Sequence, residues 1–355
     1  MSKGLDLIII SDGKPGHLSG SKGVLNSIEL LTNVNFQIIK ANLRSKFWRW
    51  PLRMLLNYGG WLKWLPAKAQ ILLIKLFYKI EDINSLLAVK KGSWVISSGG
   101  DTSFLNAWIT RLCGLKNIYC SSLRGLKPSL FTLLILTQGL PDSENQIIVP
   151  VAPAPVNRKE INKAGELFRS ELHLEGKKVL AVLLGGSGAG FVYDTAIMKA
   201  IAEGILGLAE KQNARLLITT SRRTGIEAEK SLKGLIEKHP HVSYATFFNH
   251  VPEKVVSKFL GSSDAVFCTA ESGSMITESL AAGKPTYAIY PQEVSPQPFY
   301  AQFLQQHIEA KHIKPVAIAE LETIDLASDN KSYFNILEND PVSELAKKIK
   351  PWIFS

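Results

Sequence analysis

The sequence predicts an α/β fold built from two doubly wound, Rossmann-like domains, and three observations predict it. Its 355 residues exceed the roughly 100 to 200 expected of one domain. Short apolar, β-branched runs repeatedly stop at a Gly-containing loop and give way to helical periodicity, the βα order of a parallel sheet. That order starts afresh after PVAPAPV, residues 150–156, whose prolines stiffen the backbone and remove ladder donors, so the stretch reads as an interdomain linker. The expected divisions are an N-terminal domain over residues 1–150, a C-terminal domain over 157–338 and a final segment over 339–355.

Residues 5–10 (LDLIII) read as a buried strand that ends in the loop SDGKPGH, with a helical pattern over 18–31. Strands are expected at Asn35 to Lys40 and at Trp94 to Ser98, the second stopping at Ser98-Gly99-Gly100-Asp101. Leu115 to Ser121 and Leu130 to Leu136 are further candidates. In the second half, 178–184 (KVLAVLL) runs into Gly185-Gly186-Ser187-Gly188-Ala189-Gly190, and a helix follows from Thr195 to Gln212. Arg215 to Thr219, Ser243 to Thr246, Ala265 to Cys268 and Thr286 to Ile289 complete the expected strands. Gly loops between strand and helix in both halves put backbone N–H groups at the carboxyl edges of two sheets, so the expected ligand site is a cleft between the domains.

Composition excludes other classes. Hydrophobic residues at 46% and charged residues at 20% are those of a globular chain, neither disordered nor fibrous. No apolar run approaches the roughly 18 to 20 residues of a membrane span, and the start MSKGLDLIIISDGKPGH lacks a signal peptide's apolar core, so the expected compartment is the cytoplasm. Cys113, Cys120 and Cys268 form neither a disulfide framework nor a zinc spacing. The net charge of +10 is local: residues 30–80 hold nine of the 41 Lys and Arg and no acid, leaving 32 basic against 31 acidic residues elsewhere.

Four segments carry candidate chemistry. LGGSGAG at 184–190 fits neither the phosphate-loop pattern nor GxGxxG, which disfavours a kinase or an ordinary dehydrogenase. Its glycines allow close approach of a phosphate, with the Ser187 hydroxyl as a further donor; the plainer reading is a tight packing turn. In CTAESGSMITESLAAGKP at 268–285, Glu271-Ser272-Gly273-Ser274 lead into a helix from Met275 to Ala282, whose N-terminus suits a diphosphate. Glu278, one turn inside, can accept both hydroxyls of a ribose; the plainer reading makes Ser274 a cap and Glu278 a solvated residue. TTSRRTG at 219–225 sets Arg222 and Arg223 after a strand, where a guanidinium fork matches phosphate oxygens. DGKPGH at 12–17 offers His17 as a general base near neutral pH, with Asp12 to orient it or act instead.

As an ordered set these segments resemble the two-domain GT-B glycosyltransferases, and in particular the bacterial relatives of the plant mitochondrial-fission Elm family. They are also similar to the N-acetylglucosaminyl transferase that makes lipid II. The resemblance implies a GT-B fold with its two Rossmann-like domains facing across a cleft. It places His17 in a base-bearing loop, Ser187 and Gly188 in a phosphate-facing loop, Ser274 and Met275 at helix N-terminal amides, and Glu278 on the ribose. Gln297 and Ala301 fit a Gln-x-x-Asn-Ala pattern that touches the sugar, with Tyr300 in place of the Asn. The final segment is expected to cross back and brace the first domain.

The basic segment, 40–80, interleaves Trp48, Trp50, Trp61 and Trp64 with Arg49, Arg53 and Lys63, as a surface seated in anionic headgroups would. Its Leu and Ile content argues against nucleic acid; the plainer reading is a helical excursion whose Trp residues form core. The expectation is a metal-independent glycosyltransferase without a resident cofactor, peripheral to the inner face of the membrane. Its donor site would comprise Glu271, Ser272, Gly273, Ser274, Met275 and Glu278 with Gly186, Ser187, Gly188, Arg222, Arg223 and Gln297. A nucleotide-diphosphate sugar would be its co-substrate and a lipid-linked or lipopolysaccharide-type molecule its acceptor. A sugar-nucleotide epimerase of the same fold and a non-catalytic membrane-associated adaptor are the two alternatives.

Overall fold

Strands buried on both faces read as continuous apolar runs, and this chain has such runs in two groups. The computed structural model describes residues 4–354, apart from the side chains of Trp61 and Asn330. It divides into two units, Met1–Pro155 with Pro341–Ser355, and Val156–Asp340.

Unit 1 runs β1 (Leu5–Ser11), α1 (Pro15–Glu29), β2 (Val34–Leu43), α2 (Arg49–Tyr58), α3 (Ala67–Phe77), β3 (Tyr78–Ile80), α4 (Ile83–Leu87), β4 (Trp94–Ser98), α5 (Thr102–Cys113), β5 (Lys116–Cys120), β6 (Leu133–Leu136) and β7 (Gln146–Ile148). Its sheet has the order β3-β2-β1-β4-β5-β6-β7, with β3 antiparallel to β2 and the other pairs parallel. Alternation along β1 feeds two cores. Ile8 and Ile10 pack with Leu52, Leu56, Ile74 and Trp108 on one face. Leu7 and Ile9 pack with Val24, Leu25 and Ile28 of α1 on the other.

Unit 2 runs α6 (Arg158–Glu171), β8 (Lys178–Leu184), α7 (Thr195–Lys211), β9 (Ala214–Thr220), α8 (Ile226–Ile236), β10 (Val242–Thr246), α9 (Val256–Ser262), β11 (Ala265–Thr269), α10 (Gly273–Ala281), β12 (Thr286–Tyr290), α11 (Pro298–Glu309), β13 (Ile313–Ala317) and α12 (Leu326–Ser332). Its sheet, β10-β9-β8-β11-β12-β13, is parallel throughout. The last helix, α13 (Pro341–Ile353), returns to unit 1, where Leu345, Ile349 and Ile353 join the core beside α1.

Five elements differ from expectation. Leu130 to Leu136 is a strand only from Leu133, because Pro128–Leu130 forms a 3-10 turn before it. Residues 150–156 are not a free linker, since Val151, Ala154 and Val156 are buried. The strands β3, β7 and β13 were not expected from the sequence. Among the described residues no helix is long and apolar enough to cross a membrane.

Candidate active site

Strand order reverses between β1 and β4 in the first sheet and between β8 and β11 in the second, and open α/β sheets bind ligands at the carboxyl ends beside such a point. In unit 1 the loop after β1 carries Asp12, and His17 sits in the first turn of α1. His17 Nδ1 lies 2.9 Å from Asp12 Oδ2. Asp12 also accepts from the Lys14 amide at 3.2 Å. Burial pushes the Asp12 carboxyl up, but the hydrogen bond and charge of His17 outweigh it, and the acid lies below its ordinary range. The loop after β4 lies flat on this pair. A Cβ on Gly99 would stand 2.4 Å from His17 Cδ2, and one on Gly100 2.7 Å from Asp12 Oδ2. Both have left-handed backbone, so only glycine meets both demands. Asp101 holds the loop in place: Arg49 grips its carboxylate at 2.7 and 2.9 Å, and the Tyr78 hydroxyl donates to its carbonyl at 2.7 Å.

In unit 2 the loops after β8, β9 and β11 meet around one carboxylate. The Glu271 side chain is fully buried, and its Oε1 accepts from the Gly186 amide at 2.9 Å and from Arg223 Nη2 at 3.0 Å. Its Oε2 is buried with no hydrogen-bond partner. Burial pushes this acid up to about 7, against the pull of the Gly186 amide and Arg223. The glycines of the loop answer to these neighbours. A Cβ on Gly185 would be 1.7 Å from Glu271 Oε1, one on Gly186 would be 2.1 Å from the Arg223 carbonyl oxygen, and one on Gly188 would be 2.6 Å from Arg223 Nη1.

Gly186 and Gly188 therefore pack against the protein's own groups, while Ser187 between them is exposed. The close approach their loop permits is filled by the protein's own Glu271 and Arg223. The Gly188 amide donates to the Phe191 carbonyl, and the Ser187 hydroxyl accepts from the Tyr193 amide at 2.9 Å. Gln297, exposed, joins the loop through its own amide, which donates to the Ala189 carbonyl at 3.3 Å. Ser272 occupies the N-cap position of α10 and makes no side-chain cap bond, and the Gly273, Ser274 and Met275 amides form the helix's first turn. Such amides have no intrahelical acceptor and carry the positive end of the dipole. Glu278 is half-buried one turn on. Arg222 and Arg223 are both exposed, and Arg223 reaches Glu271.

Several residues that shape this site were not singled out from the sequence. The Ser221 hydroxyl donates to the Gly185 carbonyl at 2.9 Å and that of Thr224 to the Leu184 carbonyl at 3.1 Å, stapling the Arg loop onto the glycine loop. Glu229, wholly buried at the start of α8, accepts from the Thr220 hydroxyl and from the Asn249 amide and side chain, each of the latter at 2.9 Å. The Tyr300 hydroxyl donates to the Ala270 carbonyl at 2.6 Å, bracing the residue before Glu271. The hydroxyl-rich frame of TTSRRTG was the available signal for Ser221 and Thr224. Glu229 reads in sequence as an ordinary first-turn acid. Among the described residues no group of three or more His, Cys, Asp or Glu is placed to hold a metal ion.

The basic segment divides in two. Contrary to expectation, three of its residues turn inward: Trp48 packs edge-on against Phe77, Arg49 is committed to Asp101, and Arg53 lies against Gly125. Trp50 and Trp64 are exposed, at 63% and 79%, and Lys63 lies over the Trp64 ring. The Trp61 side chain is outside the described residues. Trp50, Met54 and Tyr58 fall at i, i+4 and i+8 on one exposed stripe of α2, opposite buried Leu52 and Leu56. Lys68, Leu72 and Leu76 make a similar exposed stripe on α3.

Two mainly parallel sheets, each with loops gathered at its switch point, define the two-domain α/β class shared by GT-B glycosyltransferases and their epimerase relatives. The UDP-GlcNAc 2-epimerase from Methanocaldococcus jannaschii is similar at a TM-score of 0.56 and 12% identity, over 98% of this chain and 100% of that one. The UDP-GlcNAc 2-epimerase from Neisseria meningitidis, bound to UDP-GlcNAc, matches at 0.54 and 12% identity over 99% and 100%. A UDP-glucosyltransferase from Polygonum tinctorium matches at 0.53 and 12% identity over the whole of both chains. Residues 15–344 match the family Mitochondrial fission ELM1, and the chain belongs to that family. A comparison of the sequence with curated proteins finds no match.

Proposed function

We propose that this protein is a glycosyltransferase that moves a sugar from a nucleotide-diphosphate donor to a lipid-linked or lipopolysaccharide-type acceptor at a membrane surface. The observation that carries the reading is the hydrogen-bonded Asp12–His17 pair at the switch point of unit 1, which a transferase needs and a binding adaptor does not. Asp12 fixes the proton on Nδ1 and leaves the Nε2 lone pair to take the proton of an acceptor hydroxyl. In unit 2 the diphosphate would lie on the first turn of α10, with an Arg of 222/223 meeting its charge and Glu278 accepting from the ribose hydroxyls. Fixed amides and a guanidinium would then stabilise the departing diphosphate. The family membership and the sugar-nucleotide enzymes that share the fold support this assignment of donor class.

Thermal unfolding against UDP, GDP, CMP and ADP and their sugar conjugates tests the donor half. One nucleotide class at about 100 times its dissociation constant is expected to stabilise by roughly 2.7 kcal/mol, a shift of several degrees. Glu278→Ala is expected to lose that shift while still folding. A folded protein that responds to none of them overturns the reading and leaves the adaptor role. Turnover of the donor with no acceptor present would identify an epimerase instead.

The membrane half rests on the exposed stripes of α2 and α3. Trp50 and Trp64 among Lys46, Lys63 and Lys68 present apolar area and positive charge together, each cation adding about 1 kcal/mol at an anionic surface. Trp50→Ala and Trp64→Ala are each expected to weaken sedimentation with phosphatidylglycerol vesicles by about tenfold or more, from the apolar area lost. Equal binding by the variants, or none by the wild type, removes the membrane from the proposal.

A further inference from the structure

We propose that Glu271 is a proton-linked latch for Arg223: a diphosphate arriving at the first turn of α10 draws Arg223 from Glu271, and Glu271 takes up a proton at Oε2 as the ligand binds. The inference rests on the donor site proposed above and deepens it.

Three features of the geometry point this way. Arg223 is exposed on one side and bonded to Glu271 on the other, so its guanidinium can serve a ligand or the acid. Glu271 is sealed from water, one of its oxygens has no partner, and Arg223 is the cation its oxygens meet. Glu271 also stands directly before the α10 N-terminus, so a bound diphosphate sets a second negative charge beside it.

Both consequences of binding act in the same direction. Losing part of Arg223 and gaining a neighbouring anion each favour the neutral carboxyl. The proton comes from solvent and forms an O–H bond at Oε2, while Oε1 keeps the Gly186 amide. The other titratable groups facing Glu271 do not compete for that proton. Tyr193 from the loop after β8, Tyr300 from α11 and Cys268 from β11 are all pushed well up by burial and stay neutral. The free acid, pushed up to about 7, is mostly ionised at pH 8 and has a proton to gain there. The sign follows: binding that takes up a proton weakens as pH rises, by up to about tenfold per unit above the free value, and is flat below it.

The test is calorimetric titration at pH 8 in HEPES and in Tris, buffers of different ionisation enthalpy. The probe is UDP-GlcNAc, or whichever sugar conjugate raises the unfolding temperature; its diphosphate is a diester with no ionisation of its own near neutrality. The wild type is expected to take up about one proton per ligand at pH 8 and about half as much near pH 7. Glu271→Gln keeps an acceptor for the Gly186 amide and is expected to bind with no proton uptake and a pH-independent dissociation constant. Arg223→Ala is expected to bind more weakly and with reduced uptake. Binding by the wild type without proton uptake, or loss of binding in Glu271→Gln, overturns the latch and leaves the donor site standing. Failure of every conjugate to bind overturns both.

Discussion

Gly186→Ala is expected to unfold the glycine loop from its seat and remove any response to nucleotide. The new Cβ would stand 2.1 Å from the Arg223 carbonyl oxygen, 2.3 Å from its carbon and 2.7 Å from the Thr224 nitrogen. All three are backbone atoms, so no side chain can swing away. The Arg loop cannot yield either, because Ser221 and Thr224 tie it to the carbonyls of Gly185 and Leu184. Overpacking against fixed backbone costs about 3 kcal/mol or more, roughly 6–12 °C in a unit of this size. Gly234→Ala is the control. That glycine lies in α8 with open space around it, and alanine there is expected to be neutral or to stabilise by up to about 1 kcal/mol. Equal melting of the two variants, with ligand response intact in both, would show that the contact is not tight.

The second large effect is expected at Glu229. Its carboxylate is wholly buried and collects the Thr220 hydroxyl, the Asn249 amide and the Asn249 side chain. Glu229→Ala strands those donors in a dry site and opens a hole beside them. Hydrogen bonds to a charged acceptor are worth more than neutral ones, and buried donors left unpaired add their own desolvation cost, so the expected loss is about 3–5 kcal/mol. Glu229→Gln keeps the volume but turns an amide nitrogen toward groups that donate, and should lose less. Urea unfolding distinguishes these cases, and an alanine variant within about 1 kcal/mol of wild type would mean the network carries little. Because Thr220 ends β9 directly before the Arg pair, the same variant is expected to loosen Arg222 and Arg223.

The βα order and the four loops were legible in the sequence because each is local: an apolar run, a glycine, a helix. Of the four edge strands only β10 was; β3, β7 and β13 were not. The three residues of β3 follow α3 without a break, and β13 contains Pro315, tolerated because β13 forms the border of its sheet. The chemistry was legible as residue types and not as partners. In sequence, Glu271, Arg223 and Gly186 each read as contacts for a ligand. Their contact with one another joins residues 85 and 48 positions apart, which no spacing reveals. Nor does interleaving say which way a side chain turns. Trp48 and Trp50 are neighbours in a basic run, yet one packs on Phe77 and the other faces out. The period of four through Trp50, Met54 and Tyr58 was the clue that separates them.

The return of α13 to unit 1 gives the chain a schedule. Unit 2 is an unbroken stretch, whereas unit 1 is written in two instalments with all of unit 2 between them. On a ribosome, Val24, Leu25 and Ile28 of α1 must wait for Leu345 and Ile349 until more than 300 residues have been polymerised. The nascent first instalment therefore displays an apolar seam throughout synthesis, while the later-made unit can finish before the earlier one closes.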